Sequence, residues 1–383
     1  MNKHSKLPVV GILGTNGSVS SCVGTLGLAM DLAGQNTGNL VYHYAADRHL
    51  LGPRLHLPLN PAVDWAQVRR SIDILHIPAA NQLNPAFDVS LLADVADFLD
   101  KPIFIAGLGM QCELSEAPED VTLNGDALRF IDVLKRLAPG VGVRGVESGR
   151  MLQRHGIGRA VVTGCPSNFI NRSISGSTIA AQLDRVRALT LPRIDFFPGT
   201  LSNHRPTEAK LRSLTAIGDY RYVLQTNRFL FDVVDGHGDE AGLSYLDWER
   251  GQLFPNMPQC EYNALYRTRS AYYFSAPAWI DAAGRRDLGI GMRMHGVVAT
   301  IQGGAAGVCV VADGRIKEMV DTMGYPHLTV DDVAQAGSLA ELLAMTRFSP
   351  GDFDAARAHA FAHYRQLARE TGLSVDETAF PAA

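Results

Sequence analysis

The chain alternates short apolar runs with stretches of helical periodicity, and this pattern constrains the fold more than any other feature. Such alternation is typical of parallel sheets whose strands are joined by crossover helices. The predicted strands are residues 9–13, 72–77, 103–106, 140–143, 160–163, 222–225, 271–274, 288–290 and 308–311. The predicted helices are residues 89–99, 127–137, 147–155, 207–216, 294–302, 315–323 and 352–370. The sequence therefore predicts an α/β fold.

The length of 383 residues favours two domains over a single core. A polar, serine-rich segment at 171–184 is the predicted interdomain connection. We expect an N-terminal Rossmann-like domain at 1–180 on the acceptor side, a C-terminal one at 181–345 on the donor side, and a helix and tail at 346–383. Segments 18–36 and 235–260 are expected to be loops. Two such domains facing a cleft form a glycosyltransferase-B-like architecture, with ligands at the carboxyl ends of the strands.

Composition narrows the class of protein. A hydrophobic content of 46% with 19% charged residues is that of a globular protein with a large buried fraction, and the net charge of −4 argues against a nucleic-acid partner. Five widely spaced cysteines lack paired metal-ligand spacing and fit a reducing compartment. Because no signal peptide or apolar run of membrane-spanning length occurs, the expected location is cytoplasmic.

The segment 287–304 carries the strongest candidate site, because an apolar strand turns through glycine into an apolar helix there. Such a turn directs backbone N–H groups and the positive end of the helix dipole outward, which suits an anion. Arg293 can hold a carboxylate or phosphate by two hydrogen bonds, and His295 can move protons near neutral pH. Both are predicted to be catalytic. The alternative is a histidine held by hydrogen bonds inside the sheet.

Other predicted strand ends supply weaker candidates for substrate binding. Gly107 and Gly109 either admit a ligand close to the backbone or form a tight turn. Ser167 and Asn168 either bond a substrate or cap the next segment. Arg144 is either an anion contact or a surface residue.

The start of the helix at 315–323 adds a basic pair. Arg315 and Lys317 either reach the cleft, or Glu318 pairs with a neighbouring cation on the helix surface. The glycines at 11–17 have the wrong spacing for a dinucleotide fingerprint, and no serine-hydrolase elbow, P-loop or H-E-x-x-H metal motif occurs. We therefore expect neither a cofactor nor a metal ion.

The chain resembles the polysaccharide pyruvyl transferase family. The main match is the block 287–326, with its Arg293-Met-His295-Gly296 turn, Asp313-Gly-Arg315 and Met323-Gly-Tyr-Pro326. Upstream matches are Thr37-Gly38-Asn39-Leu40, the strand and loop at 73–78, Gly107-Leu-Gly109, Val143-Arg144 with Ser148, and Gly164-Cys-Pro-Ser167. The order of these motifs spans nearly the whole chain. Gly145 stands where the family often has aspartate, and Ala306 where proline is usual.

The resemblance implies transfer of the pyruvyl group of phosphoenolpyruvate onto two hydroxyls of a sugar or lipid-linked glycan, giving a cyclic ketal. For this chemistry we assign His295 the role of general acid and base and Arg293 that of the main donor contact, with Arg144 and Arg315 as second-rank candidates. Asn39 is placed among the substrate-binding residues. No cofactor is implied beyond the donor substrate, and a lipid-linked acceptor is compatible with peripheral membrane contact. The sequence identifies neither the acceptor sugar nor the oligomeric state.

Two other functions compete with this interpretation. A nucleotide-sugar-dependent glycosyltransferase on the same scaffold would be stabilised by a nucleoside diphosphate and not by phosphoenolpyruvate. A non-catalytic glycan-binding relative would bind sugar and ignore phosphoenolpyruvate.

Overall fold

The structure is a computed structural model that describes residues 7–20, 23–114, 116, 120–199 and 201–379. Its first half contains the strands β1 Val10–Leu13, β2 Arg54–Leu57, β3 Ile74–Pro78, β4 Ile103–Ala106, β5 Val141–Val143 and β6 Ala160–Val162. The helices of this half are α1 Leu26–Leu32, α2 Asn39–Arg48, α3 Trp65–Ser71, α4 Ser90–Leu99, α5 Gly125–Leu137 and α6 Val146–Arg154. A short 3-10 helix, Pro166–Phe169, leads to α7 Gly176–Arg187.

The second half contains the strands β7 Ile194–Phe197, β8 Tyr220–Val223, β9 Ser270–Ala271, β10 Leu288–Gly291, β11 Ala306–Val311 and β12 His327–Thr329. Its helices are α8 Leu201–Thr215, α9 Arg228–Val234, α10 Glu240–Leu253, α11 Gln259–Arg269, α12 Ala276–Gly284, α13 Met294–Gln302, α14 Gly314–Met323, α15 Val330–Gln335 and α16 Leu339–Ala344. The long helix α17 Pro350–Glu370 and a 3-10 turn at Glu377–Ala379 follow.

Both halves are built on parallel sheets. The first sheet has the order β2-β1-β3-β4, and β5 pairs with β6 beside it. A single bridge between Leu108, just after β4, and Val143 of β5 joins this pair to the first sheet. The second sheet has the order β12-β11-β10-β7-β8-β9. Every strand pair is parallel, so the carboxyl ends of all strands in a sheet lie at one edge. This confirms the predicted α/β class.

The two halves share buried apolar surface. One of the two apolar clusters runs through residues of both halves and of α17, which returns to the first sheet. On α17, Tyr364 packs edge-on against Phe104 of β4 with ring centroids 5.3 Å apart, and the His363 ring bonds the Val162 carbonyl of β6 at 2.9 Å. The final helix predicted at 352–370 is therefore confirmed, and it ties the end of the chain to the first half.

Three segments predicted to be irregular contain helices. Within 18–36, where Ser20 is the last residue described before a gap at 21–22, α1 begins at the N-cap Thr25. The serine-rich segment 171–184, which lies between β6 and β7, contains the start of α7, because Ser175 and Thr178 form a capping box there. Segment 235–260 holds α10.

The helix α10 escaped prediction because a charge interrupts its apolar face. Glu249 lies on the buried side at 2% exposure and accepts hydrogen bonds from Arg212 Nη1 at 2.8 Å and Tyr262 Oη at 2.7 Å. The strand β7 was missed for the same reason: Asp195 in its centre is buried and paired with Arg221. A buried ion pair between distant residues cannot be seen as apolar periodicity.

Candidate active site

The turn from β10 into α13 depends on two glycines. Gly291 has φ +153°, and a β-carbon there would lie 2.3 Å from the carbonyl oxygen of Phe197. A β-carbon on Gly296 would lie 2.4 Å from the Phe197 ring. Because neither glycine has a side chain, α13 can begin directly against β7. The residues between the glycines, including Arg293 and His295, consequently lie at the carboxyl edge of the second sheet.

That edge forms one wall of a cleft of about 620 Å³ between the two halves. Arg293 lines the cleft and donates from Nε to the Pro198 carbonyl at 3.1 Å and from Nη2 to Thr226 Oγ1 at 3.1 Å. Burial, aided by the charge of Arg315, lowers the pKa of Arg293 to about 10, so the guanidinium remains a cation at neutral pH. A fixed, partly desolvated cation of this kind interacts strongly with an anion.

A second arginine reaches the cleft from the start of α14. Arg315 Nη2 lies 3.2 Å from Asp313 Oδ2, while Nε is buried and has no hydrogen-bond partner among the described residues. Asp313 is itself occupied as the N-cap of α14, accepting from the Ile316 N–H at 2.7 Å. Lys317 lies elsewhere: its side chain is 59% exposed, it pairs with Asp321, and it does not line the cleft. Arg315 therefore lies at the cleft, where the sequence predicts a substrate contact, whereas Lys317 does not.

Three helices begin at the cleft. Asn39 is the first residue of α2, Met294 the first of α13, and Gly314 the first of α14, and each start contributes lining residues. The side chain of Asn39 donates to the Ala33 carbonyl at 3.0 Å, so it holds the preceding loop as well as facing the cleft. Three converging positive dipole ends reinforce the attraction of the two arginines for an anion.

His295 lies in the first turn of α13 and is 7% exposed. Its Nε2 is 3.7 Å from Cys165 Sγ, which in turn lies 3.0 Å from Ser167 Oγ, and the Tyr42 ring packs beside the imidazole at a centroid distance of 5.4 Å. Burial holds the pKa of His295 well below its usual 6.5, and the cations Arg144 and Arg315 lower it further. The imidazole is therefore neutral at pH 7 before any anion binds.

Arg144 is a buried cation behind the imidazole, so the interpretation of a surface arginine is wrong. It is 1% exposed, its Nε donates to the Gly107 carbonyl at 3.0 Å, and its Nη2 has no hydrogen-bond partner within the part of the chain that the structure describes. Burial lowers the pKa of Arg144. Gly109 makes room for it, because a β-carbon there would lie 2.6 Å from Arg144 Cδ. Gly107 and Gly109 thus position Arg144 and do not line the cleft.

Ser167 and Asn168 are fully buried on the 3-10 helix beneath His295. Ser167 contacts Cys165, and the backbone carbonyl of Asn168 accepts from Gln302 Nε2 at 3.2 Å and Arg357 Nε at 3.0 Å. Their side chains are not at the cleft surface, so the structure gives them a supporting position. Nor do the described residues gather three or more histidine, cysteine or acidic side chains in a way that could hold a metal ion.

The two halves meet at a tight seam beside the site, formed by Gly145, Ser148 and Gly164 against Glu318 and Met323. Glu318 Oε1 accepts from the Ser148 N–H at 2.6 Å and Oε2 from Ser148 Oγ at 2.7 Å. A β-carbon on Gly145 would lie 2.4 Å from Glu318 Cγ, and one on Gly164 would lie 2.1 Å from Met323 Sδ. A carboxylate from the second half therefore occupies the space beside Gly145.

Sequence reasoning missed Tyr42 and His43, and it assigned no role to Cys165. Tyr42 and His43 lie on α2, which was not predicted as a helix. Had α2 been recognised from its start at Gly38, the i, i+3 and i+4 spacing of Asn39, Tyr42 and His43 would have placed them on one face. Cys165 could not have been paired with His295, because 130 residues separate them.

The fold and the site together define an α/β protein with an arginine-lined cleft between two parallel sheets. The family comparison is more specific: the model described as polysaccharide pyruvyl transferase matches residues 36–313. The chain belongs to the polysaccharide pyruvyl transferase family, which confirms the family expected from the sequence and makes the protein a transferase. Family membership also implies a glycan acceptor.

No curated protein sequence matches the chain. Among solved structures, HepE of Anabaena in complex with UDP and glucose is 12% identical with a TM-score of 0.42, covering 95% of this chain and 98% of that one. The UDP-GlcNAc 2-epimerase of Neisseria meningitidis bound to UDP-GlcNAc is 10% identical with a TM-score of 0.33, covering 95% and 98%. We draw nothing further from similarities of this size. Among the described residues, no helix combines the length and apolar character needed to cross a membrane.

Proposed function

We propose that the protein transfers the pyruvyl group of phosphoenolpyruvate onto two hydroxyls of a glycan acceptor, forming a cyclic ketal. The observation that carries the proposal is the convergence of Arg293, Arg315 and three helix starts on one cleft that also contains an imidazole. Phosphoenolpyruvate carries a carboxylate and a phosphate on one small carbon skeleton. Two separate cationic contacts in a cleft of this size match those two groups.

The reaction needs proton transfer as well as anion binding. Carbon 3 of the enol phosphate gains a proton, the cation that develops at carbon 2 is attacked by one acceptor hydroxyl, phosphate leaves, and a second hydroxyl closes the ring. Both acceptor hydroxyls lose their protons in this sequence: one proton balances the proton gained at carbon 3, and the other leaves with the phosphate. His295 is the group in the cleft that we assign to carry protons.

The low pKa of His295 fits this assignment when donor binding is included. In the free protein, burial and two nearby arginines lower the pKa and keep the imidazole neutral. A bound donor with several negative charges would offset the positive charge of Arg315 and attract the proton, which raises the pKa toward the working range. Proton uptake is thereby coupled to the arrival of the donor. Arg144, buried beside the imidazole, lowers the pKa of His295 more than Arg315 does.

Donor binding is tested by thermal melting of the full chain with phosphoenolpyruvate, UDP or inorganic phosphate. A ligand that binds the folded state raises the melting temperature as its concentration exceeds its Kd. We expect stabilisation by phosphoenolpyruvate that Arg293→Ala abolishes. Stabilisation by UDP alone would favour the nucleotide-sugar glycosyltransferase and contradict the proposal. Stabilisation by phosphate equal to that by phosphoenolpyruvate would also contradict it, because the carboxylate would then contribute nothing.

Turnover is tested by phosphate release from phosphoenolpyruvate with a glycan extract as acceptor. Loss of a proton-transfer group lowers rates by about 100- to 10,000-fold, and we expect a fall in this range for His295→Ala. His359, a histidine on α17 outside the cleft, supplies the matched control His359→Ala. Equal rates in the two variants would refute the assignment of His295.

A further inference from the structure

Each sheet has one point at which the order of its strands reverses. In the second sheet, β8 lies on one side of β7 and β10 lies on its other side. In the first sheet, β2 lies on one side of β1 and β3 lies on its other side. Ligands of open parallel sheets bind at the carboxyl ends of the strands at this reversal. Arg293 follows β10 and the Pro198 carbonyl follows β7, so the anion cleft occupies the reversal of the second sheet.

The reversal of the first sheet also carries a cavity, which we call the leucine pocket. It has a volume of about 250 Å³ and is lined at the ends of β1 and β3 by Leu13 and Ile77, and around them by Leu28, Leu32, Leu59 and Leu92. At about 30 Å³ for each water molecule this volume equals about eight waters, which is enough for one sugar ring.

The leucine pocket lies next to the anion cleft. Asn39, Tyr42 and Gln82 line both spaces. The Tyr42 ring lies 5.4 Å from the His295 ring on the cleft side and 4.7 Å from the His43 ring, which lines the leucine pocket. Tyr42 therefore packs against both the imidazole of the cleft and the histidine of the leucine pocket.

The leucine pocket differs from the cleft in its charged lining. Its described lining includes no arginine or lysine, and its charged group is the carboxylate of Asp31. Burial lowers the pKa of His43 to about 3, so this imidazole is neutral at pH 7 and its Nδ1 accepts a hydrogen bond from the Thr15 N–H at 3.1 Å. An anion would gain no compensating charge here and would be repelled by Asp31.

We infer that the leucine pocket binds an uncharged sugar ring, whose C–H face packs on the leucines and whose hydroxyls bond the polar side chains at the rim. Thr15, Asn60 and Gln82 supply hydroxyl and amide groups there. Pockets of this kind combine an apolar lining with a few polar groups that orient the ligand. The pocket's role as the acceptor site rests on the proposed function, whereas its preference for uncharged sugars over uronic acids does not.

The test is saturation-transfer difference NMR on the full chain with methyl β-D-glucoside and methyl β-D-galactoside, compared with the corresponding glucuronate and galacturonate. The variant Leu59→Trp places an indole at the pocket from a side chain that is 43% exposed, so folding should be preserved. Leu55→Trp is the matched control, since Leu55 is 41% exposed on the edge strand β2 and does not line the pocket.

We expect transfer to at least one uncharged glycoside in the wild-type protein and in Leu55→Trp, and none to the uronates. Leu59→Trp should weaken that binding about 10-fold or more, as misfit in an apolar pocket typically does. Equal binding of the uronates, binding unchanged by Leu59→Trp, or no glycoside binding at all would each overturn the inference. Thermal melting with phosphoenolpyruvate separates the two proposals: donor stabilisation without glycoside binding refutes the leucine pocket alone, and glycoside binding without donor stabilisation refutes the proposed function alone.

Discussion

Removing the charge of Arg315 should weaken donor binding, and removing that of Lys317 should not. The two cations are two residues apart on α14, but Arg315 lines the cleft with a side chain 18% exposed, whereas Lys317 is 59% exposed and paired with Asp321. A hydrogen bond to a charged group contributes about 1.5–3 kcal/mol, which corresponds to a Kd about 10- to 150-fold higher for phosphoenolpyruvate in Arg315→Ala. Screening over a Debye length of about 8 Å should keep Lys317→Ala within about twofold of wild type.

The assay is isothermal titration calorimetry of phosphoenolpyruvate into each variant at fixed ionic strength, with melting temperatures as the folding control. Asp313 retains its N-cap bond to the Ile316 N–H in both variants, so α14 should remain intact. An equal loss of affinity in both variants would show that net charge, rather than position, controls binding. An unchanged Kd in Arg315→Ala would refute the placement of the donor beside α14.

Three further outcomes follow from the contacts. Cys165→Ala removes the thiol 3.7 Å from His295 Nε2 and should lower the rate of phosphate release about 2- to 10-fold with little change in the Kd for the donor, while Cys165→Ser restores part of the rate. An unchanged rate in Cys165→Ala, or no recovery in Cys165→Ser, would contradict this. Glu318→Ala leaves the buried Ser148 N–H without its partner and should lower the free energy of unfolding by about 3 kcal/mol in urea titrations, with Glu147→Ala on the exposed face of α6 as control. Burial lowers the folded-state pKa of His49 to about 3 and of His76 to about 4. Below pH 6.5 protons therefore bind the unfolded chain preferentially, and the free energy of unfolding decreases by about 1.4 kcal/mol for each group with each unit by which the pH is lowered. His76→Gln should reduce that slope, and an unchanged slope would refute the prediction.

Sequence patterns predicted the parts of the fold that depend on local chemistry. Apolar runs located β1, β3, β4, β10 and β11, because strands covered on both faces are almost continuously apolar. The turn bearing Arg293 and His295 could be recognised for the same reason: a strand, glycines and an apolar helix follow one another without interruption. The family motifs then assigned a chemistry that periodicity alone cannot supply.

What escaped prediction depends on residues far apart in the chain. The burial of Arg144 follows from Gly109 and from packing around the cleft, so a sequence with one arginine after a strand gives no indication of whether it is exposed. The leucine pocket likewise forms from α1, α2 and the loops after three strands, and no single segment of it has a distinctive pattern. These features depend on how charge and volume match between residues far apart in the chain, and local sequence propensity carries no information about that match.

The seam between the halves bears on how this enzyme can be re-engineered. At Gly145 and Gly164 even a methyl group meets Glu318 or Met323, so any substitution there must displace these side chains and disturb the contact between the halves. The leucines at the mouth of the pocket tolerate change because they are already in contact with water. Combinatorial libraries intended to redirect the catalyst to unnatural carbohydrates should therefore vary Leu28 and Leu59 and leave the junction untouched.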